Sequence, residues 1–331
     1  MIVMKFIFFF LILSGFFTLQ KQTLSESEIT EVLLIGKKNE FIRLEEISVD
    51  DEGNLYITDA YKFTIKKYSP LGKLILEYGK RGNEADDFEA TPYKIICHKE
   101  TLAVVTKGSM NIKIFYSNFR LIKQFSIPGV ITDIIFNNKG QIIASIIPLE
   151  KNRNRNLILV DQSGKIISSA SLSNEGNNSS FDIIHLSTGN GKTIVAASRF
   201  GNQIFTYTDQ LEPLNNFMIS HLPSVAPYTD DLIEQIGKIP KGDIIKDIGI
   251  DTFNNIYILG GDFSKNPDQD IFVYDVNGKF LKYFVLPEKT GIIYIDNRNF
   301  LYTRENERTF LKKYQLINFG RKNKHAGKSI K

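Results

Sequence analysis

Residues 47–79 read ISVDDEGNLYITDAYKFTIKKYSPLGKLILEYG, and the fold follows from how this stretch is built. Ile47-Ser-Val-Asp50 is a short apolar alternation ending in an acidic turn, Asp51-Glu-Gly53. Asn54-Leu-Tyr-Ile-Thr58 and Thr64-Ile-Lys-Lys-Tyr68 are rich in β-branched and aromatic residues. Ser69-Pro-Leu-Gly72 supplies a turn, and Lys73–Tyr78 closes on Gly79. Four runs of about five residues joined by such turns form an antiparallel meander. One meander cannot cover its own two faces, so it needs copies of itself alongside.

The copies are present. Second-strand runs begin at Asn54, Thr101, Gln141, Lys192, Asn255 and Phe300. Third-strand runs follow at Ile65–Tyr68, Ile112–Tyr116, Leu157–Asp161, Ile204–Tyr207, Ile271–Asp275 and Leu311–Tyr314. A repeat in the forties with four strands per unit is the mark of a propeller blade. The expected fold is an all-β, six-bladed β-propeller of four-stranded antiparallel blades over residues 29–316. The last unit stops near Leu316 without a fourth strand, while Glu31–Ile35 stands alone upstream. Pairing Glu31–Ile35 with Leu311–Tyr314 would close the ring and cover two open edges. The alternative is that Glu31–Ile35 packs beneath the first blade.

Gly53-Asn-Leu-Tyr-Ile-Thr-Asp59, with Ile65-Lys-Lys-Tyr68, Gly72-Lys-Leu and Gly79, Gly82, Phe88 and Pro92, resembles the NHL-repeat pattern. Asn255-Ile-Tyr-Ile with Ile271–Gly278 is a second match. The resemblance, over roughly residues 30–316, implies a six-bladed propeller like those of bacterial cell envelopes. It says little about activity, because one scaffold carries lyases, binding modules and assembly platforms.

Composition agrees with a single large domain. The chain has 331 residues, 42% hydrophobic, with no Trp and one cysteine, Cys97. A lone cysteine forms no intramolecular disulfide and builds no cysteine metal site. It sits in Tyr93-Lys-Ile-Ile-Cys-His98, read as the first strand of blade two, where adjacent His98 points to the opposite face. Met1–Leu19 carries Lys5 and an apolar stretch, Phe6–Phe17, of signal-peptide length rather than spanning length. Residues 1–20 are therefore read as a signal peptide or signal anchor. The chain is expected to be exported, periplasmic or extracellular, and to touch a membrane only through residues 1–19 if these stay uncleaved. With no cysteine there, it is not a lipoprotein. The tail, 317–331, holds Arg321, Lys322, Lys324, Lys328 and Lys331 and no acid. Without those five charges the formal +4 becomes about −1, so the folded part lacks the basic excess that nucleic-acid binding needs.

Four loops attract attention. Arg81, Asp86 and Asp87 lie between Gly79 and Pro92, a connection that the repeat itself accounts for. Arg153 and Arg155 stand in a basic loop between the second and third strands of blade three. An insertion, 220–246, holds Thr229-Asp-Asp-Leu-Ile-Glu-Gln-Ile236, whose capping residue and spacing predict a short helix acting as a lid, a docking feature or a passive cap. Asp262, Asp268 and Asp270 have the flavour of a calcium loop but lack its glycine and glutamate.

No His-x-x-x-His, Gly-x-Ser-x-Gly, Walker or dinucleotide motif is present. Peptide-amidating lyases of the resembling repeat family use His-ligated zinc and a calcium ion in the channel. Only His185 and His221 stand where such ligands would, with no third histidine to complete the set. The reading is thus a binding or scaffold module for an envelope protein, peptide or glycan, with no cofactor and no nucleic acid. Its expected binding residues lie on the loops between second and third strands: Tyr61, Lys62, Arg153, Arg155, Arg199, Phe200, Asp262, Phe263, Arg304 and Glu305. A metal-dependent lyase or hydrolase at the central channel, using calcium or zinc, is the alternative.

Overall fold

The computed structural model describes residues 28–36, 40–41, 43–85, 87–149, 157–172, 183–223 and 242–317. They form 24 strands in six four-stranded antiparallel sheets. β1 (Ile29–Ile35) precedes the first blade. Blade one is β2 (Leu44–Val49), β3 (Leu55–Asp59), β4 (Thr64–Tyr68) and β5 (Leu74–Tyr78). Blade two is β6 (Pro92–His98), β7 (Thr101–Thr106), β8 (Asn111–Tyr116) and β9 (Leu121–Ser126). Blade three is β10 (Gly129–Phe136), β11 (Ile142–Pro148), β12 (Leu157–Val160) and β13 (Ile166–Ala170). Blade four is β14 (Ile184–Thr188), β15 (Thr193–Ser198), β16 (Gln203–Thr208) and β17 (Pro213–Met218). Blade five is β18 (Ile245–Ile250), β19 (Asn255–Gly260), β20 (Asp270–Asp275) and β21 (Phe280–Val285). Blade six is β22 (Thr290–Ile295), β23 (Phe300–Glu305) and β24 (Leu311–Leu316), with β1 as its outermost strand.

β1 pairs antiparallel with β24, Glu31 opposite Tyr314 and Ile35 opposite Leu311, with a register shift between Glu31 and Leu33. Two shared turn devices explain why the repeat was readable. In blades one, five and six an aspartate precedes the first hairpin turn. Asp50 Oδ1 accepts the Asn54 N–H at 2.8 Å, and its Oδ2 accepts the Tyr56 hydroxyl at 3.1 Å. Asp251 with Asn255 and Tyr257, and Asp296 with Phe300 and Tyr302, repeat the arrangement. In blades three and five the last hairpin is set likewise: Asp161 caps Ser163 and Lys165, and Asp275 caps Asn277 and Lys279.

The core lies between the blades. Six apolar clusters each join two neighbouring blades; one packs Tyr56, Ile65 and Phe88 against Ile95, Leu102 and Phe115. Polar latches also cross the junctions around the channel. Ser48 Oγ accepts the Cys97 N–H, Asp133 Oδ2 accepts the Leu186 N–H, and Asp247 Oδ2 accepts the Ile293 N–H. The signal segment 1–20, the predicted helix 229–236, Asp86, and the tail beyond Ile317 lie outside the described residues.

Candidate functional site

The innermost strands β2, β6, β10, β14, β18 and β22 surround the channel, and five of them carry a one-residue bulge near their start. The register slips at Glu45-Glu46, Tyr93, Thr132, Lys246 and Gly291; β14 has no such slip. A bulge re-aims the side chains around it. Lys94, Asp133, His185 and Asp247 then sit at one register, opposite Val105, Ser145, Ala197 and Leu259. Glu46 takes the same place in blade one, its N–H bonded to Thr58 Oγ1. Blade six breaks the series with Ile292, paired with Arg304 of β23.

Lys94 is the hub of this ring. Its Nζ lies 2.5 Å from Glu46 Oε2 and 3.1 Å from Asp133 Oδ1. Burial works against the ammonium, but Asp133 and Glu46 outweigh it and hold its pKa well above the ordinary value. Burial also pushes the Glu46 carboxyl up; Lys94 pulls the other way, and Asp133 and Asp247 reinforce the rise. Glu46, Lys94 and Asp247 line two cavities, of about 430 and 360 Å³, and so form the waist between them.

The larger cavity opens where the loops between second and third strands gather. Three arginines there share one carboxylate. Arg43 Nε lies 2.7 Å from Glu45 Oε1, Arg308 Nη1 2.5 Å from the same oxygen, and Arg304 Nη1 3.4 Å from Oε2. Arg304 is 5% exposed, and its Nη1 also donates to the Glu45 carbonyl at 2.9 Å. Its Nε is buried without a partner, as is Nε2 of His185, which lines the same cavity. His185 Nδ1 faces Asp247 Oδ1 at 3.4 Å. Burial, and then the neighbouring Arg308, lower the pKa of Arg304.

The expected binding residues divide by place. Arg199 lines the mouth and grips Asp243 with Nε and Nη2, the latter at 2.8 Å. Phe200 lies beside that guanidinium, and Asp262 Oδ2 accepts the Asp243 N–H at 2.7 Å. Phe263 stands next to it, 51% exposed. These four form one group around Asp243. Tyr61 is 65% exposed on the corresponding loop of blade one, and Lys62 Nζ donates to the Glu40 carbonyl. Arg304 is in the mouth, but Glu305 is buried and turned into its own loop, accepting N–H groups of Glu307, Thr309 and Phe310. Arg153 and Arg155 lie outside the described residues.

Other sequence candidates have structural partners. Asp87 is buried against Lys80 and Gly82. Asp268 accepts from Asn306, and Asp270 from Asn266 and Tyr283, while Asp262 serves Asp243. His221 packs on Phe280 and Phe272 of the outer strands of blade five, with Nδ1 2.7 Å from the Tyr274 hydroxyl. The expectation that it stands near the channel is therefore corrected: the chain turns outward after β17. Cys97 is half-buried, and burial pushes its thiol up to about 12.

Sequence reading missed Glu45, Glu46, Arg43, Lys94, Asp133, Asp247 and Arg308. A usable signal was present: a titratable residue directly before Ile or Leu in five first strands, as in Glu46-Ile47, Lys94-Ile95, Asp133-Ile134, His185-Leu186 and Asp247-Ile248.

No protein-family model and no curated protein sequence matches this chain. Solved structures do. A protein of Bacteroides fragilis described as exported is similar at 12% identity, TM-score 0.61, over 88% of this chain and 96% of that one. Virginiamycin B lyase of Staphylococcus aureus is similar at 14% identity, TM-score 0.54, over 87% and 99%. A calcium-binding regucalcin of Agrobacterium tumefaciens is similar at 10% identity, TM-score 0.52, over 83% and 90%. At such identities the likeness establishes the propeller fold and nothing finer.

Proposed function

We propose that this chain is an exported binding module that presents one propeller face to a protein, peptide or glycan of the cell envelope. The observation that carries the reading is the composition of that face. An arginine-lined mouth shares its face with exposed aromatics, Tyr61 and Phe263, which stand on loops between second and third strands. Rigid loops lose little entropy when a ligand settles on them, and exposed aromatics beside arginine are favourable contact residues. The apolar segment Phe6–Phe17 supports export.

The same channel bears on the alternative, a lyase or hydrolase using calcium or zinc. Among the described residues His185 is the one histidine on the channel-facing register, and His221 is elsewhere. The position that a cation would take among Glu46 and Asp133 is filled by the Lys94 ammonium. Among the described residues no three His, Cys, Asp or Glu side chains are grouped to hold a metal ion. The Lys94 ammonium at that position argues against a resident metal there.

Peptide and glycan arrays probed with the purified chain test the reading. Tyr61→Ala and Phe263→Ala should each weaken binding to any ligand found at least tenfold, while Leu281→Ala on the outer strand β21 leaves it unchanged. Equal binding by all three variants would remove the loop face as the binding surface.

A further inference from the structure

The arginine mouth has more positive charge than its own carboxylate can balance. Arg43, Arg304 and Arg308 all turn to Glu45. Guanidinium groups so close repel one another unless an anion lies among them, and their planar forks suit a two-oxygen acceptor. Arg304 is the informative member. It is 5% exposed, yet its Nε makes no hydrogen bond, and a buried unpaired donor is costly. His185, across the cavity, also buries an unpartnered Nε2. Arg304 Nε is thus a donor without an acceptor beside the cavity, while His185 Nε2, whose Nδ1 faces Asp247, donates or accepts according to its tautomer.

The backbone is built to put Arg304 there. Arg304 belongs to a second strand, which ordinarily lies behind the channel lining. At the bulge of β22 the residue in front of it is Gly291. A Cβ at Gly291 would fall 2.1 Å from Nη2 of Arg304. Glycine at 291 is thus the opening through which the guanidinium reaches the mouth, a matter of space, since Gly291 has no positive φ that would itself demand glycine.

We propose that this mouth binds a carboxylate or phosphate group of the ligand between Arg43, Arg304 and Arg308, with His185 facing it across the cavity. Gly291 is the positioning residue that admits Arg304. The proposal rests on the binding-module reading and specifies the chemistry by which the face recognises its ligand.

Titration calorimetry of the purified chain with glucuronate, acetyl-dialanine and inorganic phosphate tests it, with glucose and acetyl-dialanine amide as uncharged controls. The expected result is one-site binding of at least one oxyanion and of neither control. Gly291→Ala and Arg43→Gln should each weaken it tenfold or more. Gly291→Ala displaces only the end of a side chain, and Arg43 is partly exposed, so at least one variant should keep the parent melting temperature and carry the comparison. No saturable oxyanion binding by the parent, or parent-like binding by a folded variant, would overturn the proposal. Array binding that depends on Phe263 but ignores Gly291→Ala would overturn it too, and would leave the binding-module reading standing.

Discussion

Single side chains here are set by what they face across a blade junction. Ser48 accepts the Cys97 N–H at 3.0 Å and donates to its Sγ at 3.2 Å. Ser48→Ala leaves that N–H without its acceptor and should cost about 1 kcal/mol, read as a lower midpoint in urea. Cys97 itself should be slow to react. With its thiol pushed up to about 12, its thiolate fraction at pH 8 is roughly a thousandth of that of an ordinary cysteine. Alkylation by iodoacetamide at pH 8 should run at least 100-fold slower in the folded protein than in urea, and accelerate as pH rises toward 12. A folded-state rate close to the unfolded one would show that the thiol is free of its burial. The placement of Cys97 on the first strand of blade two was readable from its apolar run. The ring of Glu46, Lys94, Asp133, His185 and Asp247 was not read, because each residue looks ordinary in its own strand and a bulge sets the shared register in four of the five strands.

At the scale of elements, strands were legible and loops were not. Second and third strands announced themselves through Asp50-x-x-x-Asn54-x-Tyr56 and its echoes, where one carboxylate serves both a turn N–H and a tyrosine hydroxyl. Loop residues were chosen by position alone, which is why Arg304 and Glu305, adjacent in sequence, have opposite fates: one reaches the mouth, the other organises its own turn. Arg308, on the same hairpin, and Arg43, just before β2, meet Arg304 at Glu45, a meeting that no local pattern announces. The closing strand β1 makes a clean prediction. It buries Ile29 and Ile35 and covers the edge of β24. Removing residues 1–36 should cost about 3–6 kcal/mol from those two side chains alone, and expose a pairing edge. Thermal melting and light scattering should report a lower transition and self-association; an unchanged monomer would mean that the ring holds without β1.

At the scale of the molecule, the ring distributes its core among six junctions and leaves the channel to charge. Lys94 offsets part of the Glu46 and Asp133 charge at the waist, while three arginines around the single Glu45 carboxylate leave the mouth electropositive. The five basic residues from Arg321 to Lys331 account for the formal excess and the remainder sums to about −1, so the overall charge of +4 gave no hint of a basic mouth. The deciding measurement is the metal content of the purified chain, taken together with its melting temperature with and without chelator. The account predicts no stoichiometric calcium or zinc and a melting temperature indifferent to chelator, because Lys94 already holds the cation position. One equivalent of either metal, with a fall in melting temperature on chelation, would contradict it.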